Sequence, residues 1–203
     1  MSPSSDAKFP LLIVISSPSG GGKTTVIQNL LKKNPEFRRS VSVTTRLRRK
    51  GEKDGRDYHF LSEKQFRTLI KQKDLVEWAQ VHGNFYGTPK HLLDKAGQYG
   101  WTVLFSLDVQ GALAMKRKYP QSVLIFLFPP SWSELRKRLL NRKSDSGQAL
   151  KVRLRNARQE LKAWKKYDYV IVNRRLPNTL RQIESIIQAE SCRVSRARSA
   201  KIS

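Results

Sequence analysis

Apolar segments recur along the chain at intervals that predict a parallel β-sheet with connecting helices. They cover residues 11–15, 103–105, 123–128 and 169–172. The first segment is continuously apolar rather than alternating, which is the pattern of a strand buried on both faces. Stretches with helical periodicity separate the later segments. The pattern therefore predicts an α/β fold with a parallel central sheet flanked by helices.

A glycine-rich turn and an amphipathic helix follow the first predicted strand directly. After Lys23, apolar residues recur at helical spacing from Val26 to Leu31, and Asn34 and Pro35 supply a stop signal. Strand, glycine loop and helix are thus consecutive in the sequence.

Between Ser40 and Gly87, the segments with strand-like or helix-like patterns become short. The β-like segments cover residues 40–44, 58–61 and 75–81. Ser62 and Gln65 have the spacing of a capping box, which predicts the start of a helix. We interpret this part of the chain as an inserted substrate-binding lobe.

Two helical stretches flank a polar segment that contains a glycine, residues 142–147. The first stretch is predicted over residues 133–141, and helical periodicity resumes after the segment to about Lys165. Helices joined in this way are the form expected of a hinged lid.

A last helix and a basic tail follow. Asn178 is a residue type that caps helices, and Leu180, Ile183 and Ile187 are spaced to face inward behind it. We expect the tail over residues 193–203, which is rich in basic and small residues, to fray.

The composition fits one globular domain with a strongly basic surface. The chain has 203 residues, of which 38% are hydrophobic, so it lacks the signature of a disordered protein. Lys and Arg total 40 against 16 acidic residues, and the net charge is +24. This excess predicts attraction to phosphate-bearing partners, and nucleic acid is a candidate among them.

The sequence carries no signal for export or membrane insertion. Its longest apolar runs are far shorter than the roughly 20 residues of a membrane-spanning helix. Cys192 is the only cysteine, which excludes an intramolecular disulfide and a cysteine-based metal cluster. We expect a cytoplasmic protein with no membrane partner.

Residues 17–24 read Ser-Pro-Ser-Gly-Gly-Gly-Lys-Thr and fit the phosphate-loop pattern G-x-x-x-x-G-K-[ST], with Ser17 in place of the first glycine. Amides at a helix N-terminus can cradle phosphates, Lys23 would reach the β and γ oxygens, and Thr24 would offer its hydroxyl to Mg²⁺. A glycine-rich turn without a ligand is the alternative. The residues expected to bind ATP here are Ser17, Pro18, Ser19, Gly20, Gly21, Gly22, Lys23, Thr24 and Thr25.

Three further motifs follow the loop in order. They are the arginine-rich stretch 40–58, the stretch 77–88 that runs from Glu77 to Thr88, and residues 106–111, Ser-Leu-Asp-Val-Gln-Gly. Together with the loop they resemble guanylate kinases of the bacterial type, which phosphorylate GMP with ATP. The resemblance covers about residues 12–189. It implies a phosphate-loop NTPase type of sheet with a small mixed α/β GMP-binding lobe and a helical lid.

The resemblance implies one domain over residues 1–203, whose parts can be assigned approximately. They are a core (9–39, 89–135 and 166–190), a GMP-binding lobe (40–88), a lid (136–165) and a basic tail (191–203).

The resemblance also implies which residues bind GMP. Those expected to hold the phosphate are Arg46, Arg49, Tyr58 and Tyr86. Those expected to read the base are Ser42, Glu77, Thr88 and Asp108. Guanine chemistry agrees with the second set, because its N1–H and amine donors suit carboxylates and its O6 and N7 acceptors suit hydroxyls. Adenine would leave a buried carboxylate without donors.

The remaining roles implied by the resemblance concern transfer itself. The expected catalytic residues are Lys23, Arg46, Arg138, Arg142 and Arg153. They would act electrostatically around a directly transferred phosphoryl group, with ATP as donor and Mg²⁺ held mostly through phosphates, water and Thr24. Asn173 is expected near adenine, and dGMP is expected as a second acceptor.

This chain departs from the family pattern at several positions. Ser106 stands where the family usually has a first aspartate, which is expected to reduce Mg²⁺ affinity or rate. Arg174 and Arg175 replace two acidic residues after Asn173, and Gly147-Gln148 replaces an acidic lid pair. Part of the net positive charge therefore comes from positions at which the family usually has acidic residues.

Three rival interpretations stay open at this stage. The chain could be a guanylate-kinase-like interaction module without catalysis, which Ser106 favours and the intact Lys23 disfavours. It could bind nucleic acid through its basic surface and tail. It could also be a phosphate-loop kinase for another acceptor, which Glu77 and Asp108 disfavour. The oligomeric state is left undetermined.

Overall fold

The structure, a computed structural model, describes residues 10–81, 83–140 and 147–194. Its strands are β1 (Leu11–Ser16), β2 (Arg38–Arg39), β3 (Val43–Thr44), β4 (His59–Phe60), β5 (Leu75–Val81), β6 (Asn84–Pro89), β7 (Thr102–Ser106), β8 (Val123–Phe128) and β9 (Tyr169–Val172). Its helices are α1 (Lys23–Lys33), α2 (Glu63–Gln72), α3 (His91–Tyr99), α4 (Val109–Lys118), α5 (Trp132–Leu140), α6 (Gly147–Lys162) and α7 (Leu176–Ser191). A 3₁₀ turn, Ala163–Lys166, follows α6.

The larger of two sheets is parallel, with the strand order β2-β7-β1-β8-β9. All residues of β1 are buried, which confirms the strand predicted from its continuous apolar run. The predictions for β7, β8 and β9 are also confirmed. The sequence pattern did not predict β2, whose two residues pair with Val103 and Leu104 at the sheet edge. A tertiary contact therefore makes this short segment a strand.

Helices cover both faces of the larger sheet. On one face, α1 contributes the buried Ile27, and α7 contributes Ile183 and Ile187 with the partly buried Leu180, as predicted. On the other face, α3 and α4 pack around residues such as Ala96. A parallel sheet is apolar on both sides and needs this double cover, so its strand ends remain the accessible place for a site.

The smaller sheet lies in the inserted segment and has the order β4-β3-β6-β5. β3 and β4 are parallel, whereas β6 is antiparallel to both of its neighbours. The sequence analysis missed β6, because Gly87 and Pro89 interrupt its pattern. Phe66 from α2 is fully buried beneath this sheet and stacks on Phe85, with ring centroids 5.4 Å apart.

Two helix starts were predicted from capping residues, with opposite outcomes. The capping box of α2 is confirmed, because Ser62 Oγ accepts from the Gln65 backbone and Gln65 Oε1 accepts from the Ser62 backbone. The prediction that Asn178 caps the last helix is wrong. α7 begins earlier, with Arg175 as the capping residue and Pro177 in the first turn. Proline suits a first turn because its fixed φ is helical and its missing N–H is not needed there.

The two helices predicted on either side of the polar segment are confirmed by α5 and α6. They pack together through Leu135, Leu139 and Ala157. The polar segment between them lies mostly outside the described residues, as does the tail from residue 195 onward. Within the described ranges, no helix combines the length and apolar character needed to cross a bilayer.

We predict that Phe66→Ala lowers the free energy of unfolding by about 3–5 kcal/mol, because it opens a cavity between α2 and the smaller sheet. Urea denaturation measures this change. Thr68→Ala on the exposed face of the same helix is the control and should cost less than about 0.5 kcal/mol. Equal effects of the two substitutions would contradict the packing described for this lobe.

Candidate active site

A cleft of about 720 Å³ opens at the carboxyl ends of β1 and β7. Residues from both sheets, from the β1–α1 turn and from α5 and α6 line it. Ligands of parallel α/β sheets bind at this edge, because the turns after the strands leave backbone groups and helix N-termini facing outward. The cleft therefore combines predicted residues that lie far apart in the sequence.

The turn between β1 and α1 has the backbone of a phosphate loop. Gly20 and Gly22 have positive φ angles of 83° and 97°, and Gly22 caps the start of α1. Residues with side chains rarely adopt these angles, so glycine is required at both positions. The loop amides and the helix N-terminus together form a site that favours anions.

Ser17, which replaces the first glycine of the pattern, is built into this turn. Its side chain is buried and donates to the Pro18 carbonyl. The ammonium of Lys23 donates to the Ser17 carbonyl at 2.8 Å and contacts Ser17 Oγ at 3.3 Å. A Cβ at position 21 would lie 2.4 Å from Ser17 Oγ. A serine at position 17 therefore requires a glycine at position 21. The substitution thus fits the loop.

Nearly all predicted residues of the loop face the cleft. The lining residues from this stretch are Ser17, Ser19, Gly20, Gly21, Gly22, Lys23, Thr24 and Thr25. Pro18 is not among the lining residues, and its carbonyl instead accepts from the Gly21 amide and from Ser17 Oγ.

Two carboxylates converge on the opposite side of the cleft. Asp108 caps α4, with Oδ1 accepting from the Gly111 amide at 2.8 Å. A Cβ on Gly111 would lie 3.4 Å from Asp108 Oδ1 and 3.1 Å from Glu77 Oε2. Glu77 is 8% exposed, and its Oε1 accepts from Thr88 Oγ1 at 2.6 Å. The fold therefore places a buried acid from β5 beside an acid at the end of β7.

Burial is the main influence on the ionisation of Glu77. Burial and, to a smaller extent, the charge of Asp108 raise the pKa of this carboxyl, which reaches about 7. The hydrogen bond from Thr88 and the charge of Lys118 act in the opposite direction. Glu77 is thus a carboxyl that exchanges its proton near neutral pH.

An arginine and two tyrosines form the outer wall of the cleft. Arg46 donates to both oxygens of Glu52, at 2.8 and 3.0 Å, and its guanidinium lies 5.4 Å from the Tyr58 ring centre. Tyr58 meets Tyr86 edge to face at 6.0 Å. The Arg49 amide also donates to Glu52 at 2.8 Å. Burial opposes ionisation of Glu52, but these hydrogen bonds outweigh it and lower its pKa.

The structure brings most of the predicted acceptor residues together. Those lining the cleft are Ser42, Arg46, Arg49, Tyr58, Glu77, Tyr86 and Asp108. Thr88 is fully buried behind Glu77 and reaches the cleft only through that carboxyl.

Of the three arginines predicted in the lid, one has a described side chain and lines the cleft. Arg138 on α5 lines it and donates to Glu134 at 2.9 Å. Its guanidinium would lie 3.9 Å from a Cβ at Gly22, so it stands beside the phosphate loop. Arg142 lies outside the described residues. Arg153 is in α6, but its side chain also lies outside the described part.

Asn173, at the end of β9, packs against the phosphate loop. Its Nδ2 donates to the Gly21 carbonyl at 3.3 Å and its Oδ1 accepts from Thr179 at 3.0 Å. It lines the cleft, as the prediction of a nucleotide-binding role requires.

Two acidic residues of the cleft were missed in the sequence analysis. Glu52 pairs with Arg46, and Glu160 on α6 accepts from the Ser19 amide at 3.3 Å. Burial raises the pKa of Glu160, whereas the charge of Lys23 lowers it. A usable signal existed in the sequence, because Glu160 is the only acid among the 16 residues of α6.

The donor set for a metal ion is sparse. Thr24 exposes its hydroxyl at the start of α1, and Ser106 lines the cleft at the end of β7. No cluster of three or more His, Cys, Asp or Glu that could hold a metal occurs in the described residues. These residues fit Mg²⁺ that takes most of its ligands from nucleotide phosphates and water.

Comparison with known proteins identifies the family. The guanylate kinase family model matches residues 10–190. The chain is 46% identical over 186 residues to the guanylate kinase of Desulfitobacterium hafniense strain Y51, covering 92% of this chain and 93% of that protein. It is 46% identical over 189 residues to that of Syntrophotalea carbinolica, covering 93% and 90%.

A solved structure agrees with these sequence matches. The crystal structure of guanylate kinase from Anaplasma phagocytophilum is similar with a TM-score of 0.80 and 36% identity, over 93% of this chain and 90% of that one. Because the family model and these relatives cover almost the whole chain at substantial identity, this protein belongs to the guanylate kinase family.

Proposed function

We propose that this chain transfers the γ-phosphoryl group of ATP to GMP, forming ADP and GDP, with Mg²⁺ and without a covalent intermediate. Its family membership supports ATP as donor and GMP as acceptor. The observation that carries the proposal is that one cleft contains both a phosphate loop and the Glu77–Asp108 pair. The first is suited to a nucleoside triphosphate and the second to guanine.

The donor side would bind ATP through charge and backbone amides. The loop amides and Lys23 would hold the phosphates, and Asn173 would contact the nucleotide from its position beside Gly21. Thr24 would hold Mg²⁺, which neutralises charge on the β and γ phosphates when bound. Ser106 stands where the family usually has an aspartate. The protein therefore contributes less negative charge beside the proposed Mg²⁺ position.

The acceptor phosphate would replace Glu52 as the partner of Arg46. Nη2 of Arg46 already donates to both carboxylate oxygens of Glu52, and a phosphate would offer charged oxygens to the same nitrogen. Arg49, Tyr58 and Tyr86 would complete this subsite from the same wall. Pairing with Glu52 keeps the guanidinium in place before GMP arrives.

The buried acids would read the base. Ionised Glu77 and Asp108 accept hydrogen bonds, which matches the N1–H and amine of guanine. Ser42 would donate to a guanine acceptor. The Thr88 hydroxyl donates to Glu77 in this structure and so positions that carboxylate. It would have to rotate away from Glu77 before it could donate to guanine. Adenine would leave the buried Glu77 without its donors, and the cost of such a loss reaches several kcal/mol for a charged group.

The organisation into a core, a GMP-binding lobe over residues 40–88 and a lid over 136–165 follows from this assignment. Arg138, with Arg142 and Arg153, would surround the moving phosphoryl group as the lid excludes water. Transfer would then be direct and in line. We extend the proposal to dGMP as acceptor and to a cytoplasmic location.

Phosphorylation assays with GMP, AMP, CMP and UMP as parallel acceptors test the proposal. Rapid GDP formation with strong preference for GMP is expected. A folded protein that binds GMP but transfers nothing would overturn it in favour of the non-catalytic module. Preference for another acceptor would favour the alternative kinase.

Lys23→Met is predicted to reduce turnover by about 100- to 1000-fold, because it removes a cation from developing phosphate charge. GMP binding, measured by calorimetry, should stay within about twofold of the parent. Lys32→Met on the exposed end of α1 is the control and should retain full turnover. Unchanged turnover in Lys23→Met would refute the role of the loop.

The affinity for GMP is predicted to rise with pH up to about pH 7 and then level off. Because burial raises the pKa of Glu77 to about 7, the GMP-free protein holds this carboxyl protonated below that pH, and GMP must displace the proton. Calorimetry in two buffers of different ionisation enthalpy measures the proton release. Glu77→Gln controls for titration of the GMP phosphate. A pH profile identical in both proteins would contradict the base-reading role.

Glu160→Gln is predicted to lower KM for ATP by up to about tenfold, because the carboxylate competes with phosphate oxygens for the Ser19 amide. Initial rates with varied ATP and saturating GMP measure the effect. Glu63→Gln on α2 removes an exposed charge and should leave KM unchanged. A raised KM in Glu160→Gln would show that this acid instead assists ATP binding.

A further inference from the structure

A stack of two aromatic rings and a guanidinium lies at the amino ends of β1 and β7, whereas the cleft lies at their carboxyl ends. Tyr99 and Trp101 are nearly parallel, with ring centroids 5.1 Å apart and an interplanar angle of 21°. The guanidinium carbon of Arg38 lies 5.0 Å from the Trp101 ring centre. We call Arg38, Trp101 and Tyr99 the aromatic stack. Tyr99 is 60% exposed, so its ring is open to a ligand.

A backbone turn and several hydrogen bonds position this stack. α3 ends at Gly100, whose left-handed conformation turns the chain so that the rings on either side of it come together. The Trp101 carbonyl accepts from Leu11 at the start of β1, which ties the turn to the sheet. Arg38 donates to the carbonyls of Pro35 and Phe37, so its guanidinium is held in place. The stack is therefore preorganised.

The topology collects positive charge at the same edge. Helices that follow parallel strands run back to the amino ends of those strands, so their last turns meet there. The basic residues at this edge are Lys32, Lys33, Lys116, Arg117, Lys165 and Lys166. Lys118 is excluded, because its ammonium donates to the Val76 carbonyl beside Glu77. Two nearby acids, Glu184 and Asp168, are paired with Lys33 and Lys116. We call this set of cations the basic edge.

We propose that the aromatic stack and the basic edge bind single-stranded nucleic acid. Every unpaired base offers a flat face that can stack on Tyr99, and the cations match a phosphate backbone. A duplex hides its base faces and could use only the charge. The phosphate loop does not take part, because it lies at the other end of β1, about 17 Å away for a strand of this length. This activity is separate from the proposed kinase reaction.

Fluorescence anisotropy with a labelled 12-nucleotide oligouridylate tests the proposal with the full chain. Tyr99→Ser is expected to weaken binding about fivefold to tenfold, whereas Tyr99→Phe keeps the ring and should bind like the parent. Trp78→Ser removes an aromatic ring of 47% exposure from β5 and is the matched control, with little change expected. Equal losses in Tyr99→Ser and Trp78→Ser would overturn the assignment of the stack.

The charge contribution has its own measurement. The double variant Lys32→Gln, Arg117→Gln should reduce the slope of log affinity against log salt by about 1.4, at roughly 0.7 per phosphate contact. Lys64→Gln with Lys71→Gln on α2 removes the same charge elsewhere and should leave the slope unchanged. An equal reduction in both double variants would show that only net charge matters and would overturn the site.

Competition distinguishes the occupant. Excess unlabelled oligouridylate should displace the label, while a 12-base-pair duplex should compete more weakly and GMP at saturating concentration should not compete. Displacement by GMP, or equal competition by the duplex, would contradict a single-strand site, and stronger displacement by vesicles of anionic lipid would identify a membrane surface as the partner instead. GMP phosphorylation by every variant checks that each one is folded.

Discussion

The turn between β1 and α1 is the constraint on which the rest of the structure depends. Within a few residues, the chain passes from a fully buried strand to a turn whose amides face the cleft. Ser17 occupies the space that a side chain at Gly21 would need, and Lys23 is anchored on the Ser17 carbonyl. Because β1 lies in the middle of the sheet, the turn also determines where the neighbouring strand ends stand. The end of β7, with Asp108, lies directly beside it.

The cleft already contains internal substitutes for the anions that it is built to bind. Glu52 accepts from Arg46 where we propose that an acceptor phosphate binds, and Glu160 accepts from the Ser19 amide in the phosphate loop. Cations and amides gathered without anions would repel one another in a partly buried site. The carboxylates reduce this repulsion and keep the donors oriented, while the buried Glu77 accepts a hydrogen bond from Thr88. The site is therefore preorganised by its own acids.

Among the described residues, the cations of the cleft and those of the basic edge have different surroundings. In the cleft, arginines lie close to acids and aromatic rings, and their geometry is specific. At the amino ends of the strands, lysines in the last helical turns are mostly exposed, and the topology alone brings them together. The net charge of +24 is therefore not spread evenly over the protein. This separation is consistent with the two proposed sites, one for small nucleotides in the cleft and one for a polyanion at the other end of the strands.

The sequence by itself determined the parallel sheet, the phosphate loop and the order of the motifs, because each depends on local periodicity or on a short contiguous pattern. Residues near in sequence, such as Ser62 and Gln65, were likewise correctly predicted to cap a helix. The tertiary structure decided β2 and β6, whose strand character comes from pairing partners far along the chain. It also decided the contacts of Glu52 and Glu160, because the fold alone brings Arg46 to one of these acids and the Ser19 amide to the other. Asn178 failed as a cap for a related reason, because Pro177 allowed α7 to start earlier.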